Sequence, residues 1–181
     1  MNVIVPLATG FEEVEASSII DILRRGEVSV TTAGLSGKAP IEGAHGIKFI
    51  ADTAIDEIDA GDYDAIVLPG GSPGFTNLGD DKMVLDLVRE MHRDKKYIAA
   101  ICGAPSVLSR SGILSGEKLT IYPGCRNLLT DAEYVDKSVV KDKNIITSQG
   151  PATSIEFAIE LLRVFVSDKK AEEVARAVLA R

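Results

Sequence analysis

The sequence predicts an α/β protein, a mainly parallel sheet with helices on both faces. Short β-rich runs alternate with longer amphipathic stretches. The β-rich runs are apolar along their whole length, as strands buried on both faces are. Pro and Gly stand at junctions between the segments and do not gather into a linker. A chain of 181 residues is expected to form one domain, residues 1–181, burying roughly 70% of its unfolded surface.

Taken in order, Asn2 to Leu7 reads as the first strand. Phe11 to Arg25 reads as a helix because Ile19, Ile22 and Leu23 recur at helical spacing and Gly26 can end it. Val28 to Ala33 is the second strand, and Ile41 to Ile50, with Gly43 and Gly46, reads as a hairpin. Strands at Ala65 to Leu68 and Tyr97 to Ile101 each precede a helix, at Lys82 to Arg93 and Ser106 to Ser111. Leu119 to Ile121 and Ile145 to Ser148 are further strands, with Val139 to Thr147 a second hairpin turning at Lys141-Asp142-Lys143-Asn144. Helices at Ser154 to Val166 and Ala171 to Leu179 close the chain, the last a solvated face around Val174 and Val178.

Composition excludes several classes. At 45% hydrophobic and 26% charged residues, the chain is neither disordered, collagen-like nor a disulfide scaffold. The uncharged run from Tyr97 to Ser109 is broken by Gly103 and Pro105 and is too short for a membrane span. The start, Met1-Asn2-Val3-Ile4-Val5-Pro6-Leu7, does not read as a secretory signal, so a cytoplasmic location is expected. A net charge of -7 without a basic stripe argues against nucleic acid and leaves small molecules or proteins as partners. Two cysteines and two histidines assemble neither a disulfide framework nor a zinc site, so no metal is expected and any cysteine chemistry is thiol chemistry.

In open α/β sheets, sites form beyond the carboxyl ends of the strands, and three junctions there stand out. Cys102 ends an apolar strand just before a helix, the setting of a nucleophile elbow. A helix N-terminus would stabilise a thiolate and lower the thiol's pKa, although a small buried hydrophobe reads equally well from spacing alone. Pro69-Gly70-Gly71 follows the strand Ala65 to Leu68 and could aim peptide N–H groups, so that Gly71 and Gly103 form an oxyanion hole; a tight turn without a ligand is the plainer reading.

Glu12, Glu13 and Glu15 open the first helix. At 100° per residue, with Glu15 at zero, Ile22 falls at about -20°, Ile19 at about 40° and Leu23 at about 80°, placing Glu15 in the buried stripe. Glu13, at about 160°, is expected outside it, and Glu12, at about 60°, is left open by phase. Burial and a neighbouring thiolate would raise the pKa of Glu15 and keep it protonated near neutrality. His92 reads as a helix-end residue, Cys125 as passive, and His45 as a surface or interface residue in its glycine-flanked hairpin.

These junctions, in order and spacing, resemble the ThiJ/PfpI superfamily, in the branch of the human parkinsonism-associated deglycase and its bacterial relatives. The resemblance covers nearly the whole chain. It rests on Gly10-Phe11-Glu12-Glu13-Val14-Glu15, Val30-Thr31-Thr32-Ala33-Gly34-Leu35, Tyr63 to Gly71, Ala99 to Pro105, and Thr147 to Ser154. It implies a flavodoxin-like three-layer sandwich related to class I glutamine amidotransferases, and a homodimer. It also implies a site in which Cys102 is the nucleophile, Glu15 the protonated partner of its thiolate, and the N–H groups of Gly71 and Gly103 the oxyanion hole. The implied activity is cofactor-free conversion of methylglyoxal to lactate, or removal of early glycation adducts from proteins.

The pattern also departs from the family. Tyr122-Pro123 stands where members often carry a histidine before proline, both histidines precede Cys102, and Gly103 occupies the position where the peptidase branch places histidine. Peptidase and glutamine amidotransferase activities are therefore not expected. His45, Tyr122 and Pro151 remain candidate site or interface residues. A glyoxalase or deglycase is weighed against a redox-sensing or chaperone-like protein whose Cys102 oxidises to a sulfinate, and against an inert domain sharing only the fold.

Overall fold

The apolar runs become strands with both faces covered. The computed structural model describes residues 1–180. Its first half contains β1 (Asn2–Leu7), α1 (Glu13–Arg25), β2 (Ser29–Gly34), β3 (Ile41–Glu42), β4 (Lys48–Phe49), β5 (Thr53–Ala54), β6 (Ala65–Leu68), α2 (Gly74–Asp80) and α3 (Lys82–Arg93). There follow β7 (Tyr97–Ile101), α4 (Pro105–Ser111), β8 (Glu117–Leu119), β9 (Ala132–Tyr134), β10 (Val139–Asp142), β11 (Ile145–Ser148), α5 (Ser154–Phe165) and α6 (Asp168–Ala177).

Seven strands form the main sheet in the order β10-β11-β7-β6-β1-β2-β5. All neighbours are parallel except the β10–β11 hairpin, in register from Val139 opposite Ser148 to Asp142 opposite Ile145. Alternation along each strand divides the core in two. Val3, Val5, Leu7, Val67, Ala99 and Ile101 pack with the apolar faces of α1, α5 and α6. Ile4, Ile66, Leu68, Ile98 and Ala100 pack with α2, α3 and α4. This is the flavodoxin-like three-layer arrangement, and the two-residue side-chain period of a strand is what serves both layers at once.

Local chemistry sets the helix ends. Asp81 caps α3 by accepting from the N–H groups of Met83 (2.8 Å) and Val84 (3.1 Å). Glu13 and Glu15 lie in the first turn of α1, and Arg24 and Arg25 in its last, as the helix dipole favours.

The structure corrects the expected pattern in several places. The segment expected as strand Leu119 to Ile121 leaves the ladder early: β8 pairs in parallel with β9, outside the main sheet. Beyond it, the Thr120 N–H donates to the Thr147 hydroxyl (2.9 Å) and the Tyr122 N–H to the Cys102 carbonyl (2.9 Å). α1 begins two residues later than expected, and α6 spans Asp168–Ala177, three residues earlier at its start and two at its end than the expected Ala171 to Leu179. α2 has no periodic signal in Gly-Phe-Thr-Asn-Leu-Gly-Asp, which contains two helix-weakening glycines; burial of Leu78 holds it in place. The hairpin expected at Ile41 to Ile50 is present as β3 and β4, with Ile41 opposite Phe49.

Candidate active site

β1, β6 and β7 are neighbours in the sheet, so the chain segments leaving their carboxyl ends meet in one place. β7 delivers Cys102, β6 the loop through Gly70 and Gly71, and β1 leads into α1 with Glu15. Cys102 sits in the left-handed region, at φ 62°, where a non-glycine residue is held at a cost of about 1–3 kcal/mol. Its neighbours over-determine that conformation. The Cys102 N–H donates to Ser148 O (3.0 Å), its carbonyl accepts from the Tyr122 N–H (2.9 Å), and the Ala104 N–H closes the turn onto Ile101 O (3.0 Å).

Glu15 is fully buried, and its Oε2 accepts the Gly70 N–H at 2.7 Å. Its Oε1 is enclosed with no hydrogen-bond partner, while the carboxyl faces the Cys102 thiol. Burial pushes Glu15 up to about 7, opposed by the Gly70 N–H and the thiol and assisted by the charge of Glu12.

Burial likewise pushes the half-buried Cys102 up to about 12, with the charge of Glu15 adding to it. The peptide N–H groups of Gly71 and Gly103 both act on the sulfur in the opposite direction. The expected lowering of the thiol by a helix N-terminus is thus outweighed. α4 starts only at Pro105, with Ala104 as its cap, and the facing carboxylate disfavours a second negative charge. When the proton resides on Glu15 that repulsion disappears, and the same geometry becomes a thiolate beside a carboxylic acid.

Gly71 has no alternative at its position. At φ 92°, a Cβ there would lie 2.2 Å from the Glu12 nitrogen. Sequence reasoning gives Gly70 no role of its own, yet it supplies the N–H that anchors Glu15, and its Pro-Gly-Gly context is the available signal. Ser148, which holds the Cys102 backbone, has no such signal.

Glu13 is buried, contrary to its helical phase. The loop between β3 and β4 folds over the start of α1, so that Glu13 Oε1 accepts the N–H groups of His45 (2.7 Å) and Ile47 (3.3 Å). His45 Nδ1 lies 2.9 Å from Glu13 and 3.5 Å from Glu12. The hydrogen bond to Glu13 and the charges of both glutamates raise the pKa of His45. His45 is therefore an exposed partner of the two glutamates at the start of α1. These three residues also bring potential metal-ligating atoms within 4.8 Å of one another.

Tyr122 is half exposed and joins the elbow through its backbone; its ring lies beside Gly124 and Gly150. Pro151 begins an exposed turn directly after Gly150. Among the described residues, no helix is long and apolar enough to cross a membrane.

Known proteins resemble this chain in sequence and fold. The profile of the DJ-1/PfpI family matches residues 1–164. Drosophila melanogaster "Protein dj-1beta" is 39% identical over 180 residues, covering 98% of this chain and 96% of that protein. The crystal structure of Drosophila DJ-1beta superposes with a TM-score of 0.96 at 40% identity, over 99% of this chain and 98% of that one. The structure of "Toxoplasma gondii DJ-1, oxidized" gives a TM-score of 0.94 at 34% identity, over 98% of this chain and 97% of that one. A Caenorhabditis elegans relative named "Glutathione-independent glyoxalase DJR-1.2" is 30% identical over 167 residues, 91% of this chain and 88% of that protein. With these matches spanning fold and sequence together, the chain belongs to the DJ-1/PfpI family.

Proposed function

We propose that the protein is a cofactor-independent glyoxalase acting on methylglyoxal or related reactive dicarbonyls, with Cys102 as nucleophile and Glu15 as the proton-transferring acid. The observation that carries this reading is the buried Glu15 carboxyl, one of its oxygens enclosed and unpartnered, facing a thiol on which the Gly71 and Gly103 N–H groups also act. A protonated carboxyl in that place can donate to the sulfur, so one proton can pass between the two groups. The name of the C. elegans relative supports the substrate class.

In the proposed cycle, the Cys102 sulfur adds to the aldehyde carbon of methylglyoxal and the proton passes to the aldehyde oxygen, giving a hemithioacetal. The Gly71 and Gly103 N–H groups, already directed at the sulfur, stabilise the negative oxygen that develops beside it. Glu15, as carboxylate, takes the proton from the former aldehyde carbon and returns one to the adjacent carbon, leaving a lactoyl thioester. Water then cleaves the thioester to lactate and restores the thiol. A pKa near 7 suits Glu15 to both directions of transfer. If the Cys102 sulfur displaced the side-chain amine from a hemiaminal adduct of the dicarbonyl, the amine leaving with the thiol proton, the same hemithioacetal would form and the protein would act as a deglycase.

The test is lactate formation from methylglyoxal without glutathione. We expect turnover in the parent protein and none in Cys102→Ser. Turnover that survives Cys102→Ser overturns the reading.

A second reading is favoured by the thiol's partial exposure and by the Toxoplasma relative, whose structure is of an oxidized form. Two equivalents of peroxide would take Cys102 to a sulfinate and release two waters, and protonated Glu15 would donate to a sulfinate oxygen. Peroxide-dependent sulfinate without methylglyoxal consumption would favour this sensor. We further propose a cytoplasmic homodimer. The neighbouring helices α1 and α5 expose Val14 and Ile155, and sedimentation of Val14→Glu against the parent tests their part in it.

A further inference from the structure

We propose that Phe75 is a positioning residue for this chemistry: its ring fills the space where a side chain at position 103 would stand, and so holds the Gly103 N–H on the Cys102 sulfur. The inference rests on the reading of Cys102 as nucleophile.

The two glycines whose N–H groups meet the sulfur are glycine for different reasons. Gly71 is forced by its backbone, at φ 92°. Gly103 is not among the residues in the left-handed region, so no positive φ calls for glycine there. What excludes a side chain is Phe75. A Cβ on Gly103 would lie 2.5 Å from Phe75 Cδ1, 2.7 Å from Cε1 and 2.8 Å from Cγ, and these are its three nearest neighbours.

The ring is held in turn. Phe75 lies in α2 and packs against the apolar cluster that includes Leu78, Val107 and Leu108. Its own N–H donates to Gly71 O at 2.8 Å. One residue therefore touches both donor segments, the Gly71 loop through its backbone and Gly103 through its ring.

Two consequences follow from sterics alone. A glycine peptide, of a residue type with more conformational freedom than any other, is confined without a side chain of its own. A histidine directly after the nucleophile, as a hydrolytic Cys–His pair would place it, has no room. Phe75 thus reserves the elbow for chemistry whose proton carrier is Glu15.

The experiment is a size exchange in a Cys125→Ser background, reading Cys102 alkylation by iodoacetamide across pH together with kcat and KM for methylglyoxal. Gly103→Ala alone should slow alkylation by about tenfold or more, since its methyl must displace the ring or the peptide. Phe75→Ala should lower kcat by about tenfold with KM changed less than about twofold, and move the alkylation profile to higher pH. Combining Phe75→Ala with Gly103→Ala should recover most of the alkylation lost in Gly103→Ala. Losses that simply multiply, or a Gly103→Ala protein as reactive as its parent, overturn the proposal. Should Gly103→Ala fail to fold, Phe75→Leu decides: an unchanged kcat and unchanged alkylation profile overturn it, and a lowered kcat at steady KM supports it. Alkylation needs no dicarbonyl chemistry. An exchange pattern in alkylation without methylglyoxal turnover leaves this inference standing while the glyoxalase reading falls, and turnover lost in Cys102→Ser with multiplicative losses does the reverse.

Discussion

Glu15 and Glu117 are both buried glutamates, and their surroundings drive them in opposite directions. Glu117, at the start of β8, receives the Lys143 ammonium at 2.8 Å and the Ser115 N–H at 2.6 Å. The lysine first, and the peptide N–H groups after it, hold Glu117 down to about 2. Glu15 has one peptide N–H, no cation and a thiol, and is pushed up to about 7. Burial supplies the penalty in both places; partners decide whether the charge survives it. A carboxyl with its charge fully matched is architecture, whereas one left short of partners beside a sulfur has a proton to exchange.

The sharpest way to break this contrast is turnover. Glu15→Gln should lower methylglyoxal turnover by about 10²–10⁴-fold, the usual contribution of a positioned acid–base group, while Glu117→Gln should leave it within about twofold. Equal losses would remove the distinction.

The next largest effect is on stability against pH, and its sign differs between the two. Glu15 has a folded pKa of about 7 against an ordinary value of 4.5. Its neutral form favours the fold below pH ~4.5, and that advantage falls as pH rises to ~7, by about 3 kcal/mol in all. Urea titrations from pH 4 to 8 should show this decline in the parent and not in Glu15→Gln. Glu117 behaves conversely, its folded pKa lying near 2. It supports the fold above its unfolded value and loses that support as pH falls from ~4.5 toward ~2.

Gly70→Ala sharpens the comparison at the anchoring N–H. Its Cβ would stand 2.6 Å from Cys102 Cβ and 2.8 Å from Glu15 Oε2, so a stability loss of about 1–3 kcal/mol is expected, together with slower Cys102 alkylation. A neutral outcome in both would detach Glu15 from its anchor. The smallest effect belongs to Glu117→Gln at pH 7. Lys143 stands mostly in solvent, which screens the pair, and a loss of about 1 kcal/mol is expected in the same titrations.

Much of this was legible in the chain. Apolar runs such as Val3-Ile4-Val5 and Ala65-Ile66-Val67-Leu68 announce strands covered on both faces, because they are short, rich in β-branched residues and bounded by Pro or Gly. Helical phase places Glu15 inward, and the turn after Ile101 marks Cys102. The same phase argument misplaces Glu13, since the covering β3–β4 loop comes from elsewhere in the chain. It also leaves His45 undecided between site and surface, where the fold pairs it with Glu12 and Glu13.

The sequence by itself determined the α/β class, most element positions and the inward face of Glu15, because strand and helix periods are local properties that a few residues reveal, whereas the pairing of Glu15 with Cys102 was implied by the family resemblance. Tertiary structure alone decided which carboxyl oxygen lacks a partner, which way the Cys102 and Glu117 protons are driven, and what a side chain at position 103 would meet. Those outcomes depend on desolvation and on atoms supplied by segments distant in the chain: Phe75 against Gly103, Gly70 against Glu15 and Lys143 against Glu117. No local pattern encodes such distances; only the packing of the layers fixes them.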